Sequence, residues 1–331
     1  MVSDLAALAG LSPRPDNGRM VSRWGVRSAV VLILVLVVMP ASSGVALAHY
    51  AGGLAPSASR CEIRAVDPSV TGLQVKVIEA GARLEIDNHT GVTVDVLPEP
   101  GADRLREPTI APGDSARWSD RRIVAAAQAP DPPDHRRTWA IPLRVGSQTV
   151  TIHGEQVWLP APPAGLWWLI TGLAALAAVV IGLLALRRRW AAAALGVATL
   201  AIAAAHVIHL LGSAAVLPPD QSLPATILGF AGPAIAAWPL ALIGPWLAIA
   251  GHPSGSLVCG LFGALLLLFS VPDVTSFFYA VLPFGWSPDL DRAATALVVG
   301  GGFGLFVTGI LALRAMARAT PPDTQLASTA D

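Results

Sequence analysis

His206 and His209 stand one helical turn apart inside a long apolar stretch, and Asp273 stands inside another. Residues three apart share one face of a helix. An acid and two imidazoles surrounded by apolar side chains are costly unless they face one another or water. Two chemistries follow. The three side chains can hydrogen-bond neighbouring helices together, or they can form a polar cluster that binds a metal ion or relays protons. A second candidate lies near the start of the chain. Cleavage after Ala48 would leave His49 as the amino terminus, and a free amine beside its own imidazole is a compact nitrogen chelate suited to Cu(II). A further ligand would then be needed, from His89, His135 or His153, which are expected on a turn, a loop and a strand. The candidate metal residues are therefore His49, His206, His209 and Asp273, and copper is the one cofactor to weigh against none.

Other chemistry has no footing in the chain. It carries no nucleophile elbow, phosphate-cradling glycine loop, zinc-hydrolase helix motif or paired-cysteine motif. The run Gly300-Gly301-Gly302-Phe303-Gly304 follows no soluble strand, so it reads as close helix packing. Catalytic residues are not expected, and the chain reads as non-enzymatic. Its net charge is zero and Lys76 is its single lysine, which argues against nucleic acid as a partner. Cys61 and Cys259 fall on opposite sides of the expected membrane, so no disulfide between them is expected.

The elements that must position these residues are of three kinds. Arg14, Arg19, Arg23 and Arg27 precede an apolar run over 29–39, a break at Pro40 and the sequence Ala46-Leu47-Ala48. That is the order of a secretory signal over 1–48, with an uncleaved anchor as its rival. From 49 to 160 short alternating runs predict strands at 62–66, 73–79, 83–88, 92–97, 115–118, 139–145, 148–153 and 156–159. Leu84, Ile86, Val92, Val94 and Val96 are expected on one face, with Glu85, Asp87 and Asp95 on the other. Asn88-His89-Thr90-Gly91 offers hairpin chemistry and Ala111-Pro112-Gly113-Asp114 a tight turn. An antiparallel, immunoglobulin-like β-sandwich outside the cytoplasm is the economical fold.

Beyond Pro160-Ala161-Pro162-Pro163 lie apolar stretches at 166–186, 191–216, 225–250, 257–282 and 293–313, within a membrane domain over 161–319. Each reaches the ~20 residues a helix needs to cross the hydrocarbon. Just over half the chain, 53 %, is hydrophobic, as an α+β protein with a multi-span helical bundle requires. Trp167, Trp168 and Trp286 fall where aromatic rings favour the interface. Arg187-Arg188-Arg189 and the pair Arg314 and Arg318 assign their segments, and a tail over 320–331, to the cytoplasm. An odd number of spans below an outer domain requires the same. The third stretch, with Pro233, Pro239 and Pro245, is the one expected to kink or re-enter.

The chain also resembles a group of uncharacterised actinobacterial membrane proteins. The resemblance runs through Ile63-Arg64-Ala65-Val66, Val77-Ile78-Glu79-Ala80-Gly81-Ala82-Arg83-Leu84-Glu85, Asn88-His89-Thr90-Gly91, Ala116-Arg117-Trp118-Ser119-Asp120-Arg121 and Pro142-Leu143-Arg144-Val145. In the helical part it runs through His206-Val207-Ile208-His209 and Leu282-Pro283-Phe284-Gly285-Trp286. It implies a signal, an outer domain and helices in that order, and no particular activity. Ser119 and Arg121 replace histidines that the group carries, which weakens any metal role for that segment here. The leading expectation is a non-enzymatic envelope protein of the cell membrane. Its outer domain would bind or sense a ligand or another envelope protein while the helices sit in the lipid bilayer. The alternative is a copper-handling or transport protein using His49 and the His206, His209 and Asp273 cluster. A membrane enzyme built on that cluster is a third class.

Overall fold

Among the described residues, eight strands precede the long helices. The computed structural model describes residues 55–99, 108–124, 135–216, 224, 227 and 232–319. The signal segment, His49 and the tail over 320–331 lie outside them. The strands are β1 (Ser59–Asp67), β2 (Leu73–Ile78), β3 (Arg83–Asn88), β4 (Val94–Val96), β5 (Thr109–Ile110), β6 (Ser115–Trp118), β7 (Arg136–Val145) and β8 (Gln148–Trp158). They form two antiparallel sheets, one of order β1-β8-β7-β4-β5 and one of order β2-β3-β6. Alternation is the cause. Leu84 and Ile86 of β3, Val94 and Val96 of β4, Ile141 and Leu143 of β7, and Val150 and Ile152 of β8 are buried in one common core. Each such side chain contributes roughly 1.5–3 kcal/mol.

Three expectations for the strands are corrected. The runs 148–153 and 156–159 are one strand, because Gly154 continues the ladder while the Trp139 indole occupies the place of its missing side chain. Val92 is exposed, because β4 begins only at Val94. Asn88-His89-Thr90-Gly91 is not a hairpin, since β3 and β4 belong to different sheets. The buried Asn88 side chain takes the place of a ladder there. Its Nδ2 donates to the carbonyls of Val92, Ile110 and Ala111 at 2.8, 3.0 and 3.1 Å, and its Oδ1 accepts from Thr90 N and Oγ1. The Ala111–Asp114 turn crosses between sheets beside it, with Gly113 N donating to Asn88 O and Asn88 N donating to Asp114 O.

A short helix α1 (Arg121–Val124) closes the core through Ile123. The helical part comprises α2 (Ala164–Ala185), α3 (Arg189–Ala214), α4 (Trp238–Ile249), α5 (Gly255–Ser270) and α6 (Pro288–Ala319). Among the described residues four helical segments are long and apolar enough to cross a membrane: Ala164–Ala185, Arg189–Ala214, Gly255–Phe277 and Pro288–Arg318. The expected fifth, over 225–250, is shorter. Its apolar helical part is Ala234–Ile249, about 24 Å at 1.5 Å per residue, where a bilayer core needs about 30 Å. Prolines explain it: Pro239 stands at the start of α4 and Pro245 within it, each lacking a backbone donor.

The stretch 257–282 also departs from a single helix. α5 ends at Ser270, a tighter 3-10 turn covers Val271–Phe277, and Val281 leaves to pair with Ser57. Pro272 is the break. α6 begins before 293, at Pro288, and runs on past 313.

Close contacts fix the helix directions. Gly300 meets Thr171, Gly304 meets Ala175 and Ala178, and Gly182 meets Thr308, so α2 and α6 run the same way. Gly260 packs on Gly309 and Gly263 on Gly302, so α5 runs against α6. A Cβ on Gly260 would clash with Gly309 Cα. Such closeness is what small residues allow where helices gain nothing from excluding water, and it is the packing role expected of the Gly300–Gly304 run. Arg187-Arg188-Arg189 and Arg314 with Arg318 therefore lie at one end of the bundle. The two-sheet part joins at the other, through residues 159–163 and the Ser57–Val281 bridge.

Candidate functional site at the sheet-facing end of the bundle

His209 projects from α3 between two acids. Its Nδ1 lies 2.6 Å from Asp291 Oδ1 and its Nε2 3.6 Å from Asp273 Oδ2. All three side chains are largely withdrawn from the surface, at 15 %, 7 % and 12 % exposure. Three elements supply them: α3, the first turn of α6, and the 3-10 turn that Pro272 imposes after α5. A neutral imidazole has one N–H and serves one carboxylate. The second contact, at 3.6 Å, then takes either another proton or an intervening water. The arrangement thus holds one imidazole between two acids, one close and one at a looser distance.

Arg292 follows Asp291 and is 4 % exposed. Its Nε donates to Ser276 O at 2.9 Å, its Nη2 to Tyr279 O at 2.7 Å and Ala280 O at 3.3 Å, and its Nη1 to Asp289 Oδ1 at 2.7 Å. One guanidinium thus gathers the backbone that runs from Asp273 toward Val281. That backbone is tied directly to the strands. Ser57 N donates to Val281 O at 2.8 Å and Val281 N to Ser57 O at 2.9 Å. Phe277 seals the same end, stacked on Trp167 at 6.3 Å and edge-on to Trp168 at 5.4 Å.

The structure brings Asp273 to His209 and separates the two histidines by partner. His206 Nδ1 accepts a hydrogen bond from Trp238 Nε1 at 3.2 Å, so α4 engages the deeper imidazole while α6 engages the outer one. Asp291 and Arg292 were missed because the fifth stretch was expected to begin at 293. The signal was legible: Pro288 with Asp289 and Asp291 is the composition of a helix first turn.

His89, His135 and His153 are exposed. Among the described residues no group of three or more His, Cys, Asp or Glu side chains is arranged to hold a metal ion. Both cysteines are free and buried. Burial pushes the Cys61 thiol up to about 11 against the opposing charge of Arg137, so it is a protonated thiol at neutral pH. Several acids outside the bundle are tied to arginines, as Asp95 is to Arg144 and Glu155 to Arg64 and Arg136. Hydrogen bonds from Arg144 and Arg64 hold those two carboxyls below their ordinary range. No family model, curated protein or solved structure matches the chain.

Proposed function

We propose that this is a non-enzymatic envelope protein of the actinobacterial group it resembles. An outer immunoglobulin-like sandwich binds or senses a ligand or partner, and the helical bundle anchors it in the cell membrane. The observation that carries the reading is the connection, made of hydrogen bonds and of residues adjacent in the chain, from the segment leading into β1 to the acid–imidazole site. It runs from Ser57 to Val281, from the neighbouring carbonyls to Arg292, and from the adjacent Asp291 to His209. A change at either end has a short mechanical route to the other.

The placement of the arginines supports an orientation with the sheets outside. Arg187-Arg188-Arg189, Arg314 and Arg318 share the far end of the bundle, as the positive-inside rule asks of a cytoplasmic face. Exposed Trp168, Tyr279 and Trp286 at the near end, and exposed Trp190 beside the arginines, suit the two interfaces. With the directions alternating from α2 to α6, the short α4 acts as a partial span. The copper-handling reading is the weaker one. It needs His49, outside the described residues, and a ligand set that His206 and His209, with their separate partners, do not form by themselves.

Amide hydrogen exchange of the full chain in lipid nanodiscs tests the coupling. In Asp291→Asn the Ser57 and Val281 amides should exchange at least about tenfold faster, as a local opening eased by ~1.4 kcal/mol would give, while the β3 and β7 amides keep their rates. Unchanged exchange at Ser57 and Val281 would mean that the site and the outer strands do not communicate, and the sensing role falls.

A further inference from the structure

Three side chains between the two sheets bury polar atoms that have no hydrogen-bond partner among the described residues: Glu79 Oε2, Gln156 Oε1 and Trp139 Nε1. The residues are 4 %, 4 % and 5 % exposed. Buried polar groups in folded proteins are nearly always paired with protein or with ordered water, so three in one place call for a common cause.

They belong to one place. Gln156 stands directly opposite Cys61 in the β1–β8 ladder, where Cβ atoms are ~4.5–5.5 Å apart on a shared face. Trp139 lies over Gly154, two residues earlier on that face of β8. A Cβ on Gly154 would clash with Trp139 Cε2, the atom bonded to Nε1. Glu79 opens the turn Glu79–Gly81, and a Cβ on Gly81 would lie 3.7 Å from Cys61 Cβ and 4.0 Å from its Sγ. Cys61 thus neighbours both Gln156 and the Glu79–Gly81 turn, with Trp139 over the next inward-facing position of β8.

The chemistry left open is specific. Glu79 Oε1 is already paired with Arg83 Nη1 at 3.2 Å, Gln156 Nε2 donates to Ser59 Oγ at 2.7 Å, and Cys61 Sγ donates to Ile123 O at 3.4 Å. Two acceptors and one donor remain. A metal ion or an ammonium group has no lone pair for the Trp139 N–H, and an anion would oppose Glu79. A neutral molecule that donates twice and accepts once satisfies all three, and water is the smallest that does.

We propose that one internal water is bound here, donating to Glu79 Oε2 and Gln156 Oε1 and accepting from Trp139 Nε1. It joins β7, β8 and the Glu79–Gly81 turn around β1, at the end of β1 that leads to Ser57. The proposal does not depend on the sensing role.

The test is water-to-indole magnetisation transfer on the full chain in nanodiscs with ¹⁵N-tryptophan, the Trp139 indole signal being assigned by its loss in Trp139→Phe. The wild-type signal should show a cross-relaxation peak to a long-lived water, lost in Gln156→Leu and in Glu79→Gln. Absence of that peak from the assigned wild-type signal overturns the proposal. A peak that persists in folded Gln156→Leu overturns it too, as does a Trp139 signal that moves on addition of Cu(II) or Zn(II), which would mark a metal site instead.

Discussion

His209 Nδ1 and Asp291 Oδ1 face each other at 2.6 Å across α3 and α6, a full ångström closer than His209 Nε2 and Asp273 Oδ2. Asp291 therefore orients the ring, and Asp273 faces the nitrogen whose hydrogen bonding is left open. The two acids are not equivalent. Asp291→Ala should lower unfolding stability by about 3 kcal/mol, because it strands a buried imidazole and loosens the α3–α6 contact. Asp273→Asn, which keeps an oxygen acceptor, should cost about 1 kcal/mol or less. Denaturant unfolding of the two variants in detergent micelles checks the order, and equal losses would show that the distances do not rank the partners.

Asn88 is the side chain on which the two sheets converge. It is fully buried and meets carbonyls from the Val92 turn and from Ile110 and Ala111. Asn88→Ala should cost about 2–4 kcal/mol, since it leaves several buried carbonyls without a donor. Asn88→Asp should be at least as damaging despite its matching shape, because a carboxylate accepts and cannot donate. Thermal unfolding of both variants is the measurement. An aspartate variant as stable as the wild type would contradict the donor role.

Asp120 gives the two-sheet part an acid-sensitive point. Burial by itself would raise its carboxyl, but hydrogen bonds from the Arg122 side chain and backbone outweigh that, helped by Trp118 Nε1, and hold it below its ordinary value of 3.8. A carboxyl lowered by folding contributes stability at pH values above its unfolded-state value, and loses it as the pH falls through the lower folded-state value. Acid unfolding should therefore steepen below about pH 4. Asp120→Asn should be less stable at neutral pH and show a shallower acid slope. Parallel pH profiles for variant and wild type would refute this.

Much of the architecture was legible in the order of residues. Alternation at Leu84, Ile86, Val94 and Val96 marked strands because a pleated strand with one buried face repeats every two residues. Long apolar runs marked helices because a bilayer leaves no other way to satisfy the backbone. The paired polar residues His209 and Asp273 were legible for a related reason: charge in such runs is too costly to be idle.

What composition and spacing could not supply is which strands pair and where a helix gives way. Asn88 was read as a hairpin residue because local turn chemistry is blind to sheet membership, which Asn88 settles through carbonyls of Ile110 and Ala111, more than twenty residues away in sequence. Pro272 lies inside an unbroken apolar run, yet the missing backbone donor ends α5 and turns Asp273 toward α3. Asp291 and Arg292 looked like loop residues. Only the packing of α6 against α3, through Gly301 on Ile202, and the capture of carbonyls 276, 279 and 280 give them partners. The sequence by itself thus determined the kinds of element and the polar residues too expensive to be accidental. The tertiary structure alone decided the partners, because hydrogen bonds between distant segments exist only after the chain has brought them within about 3 Å.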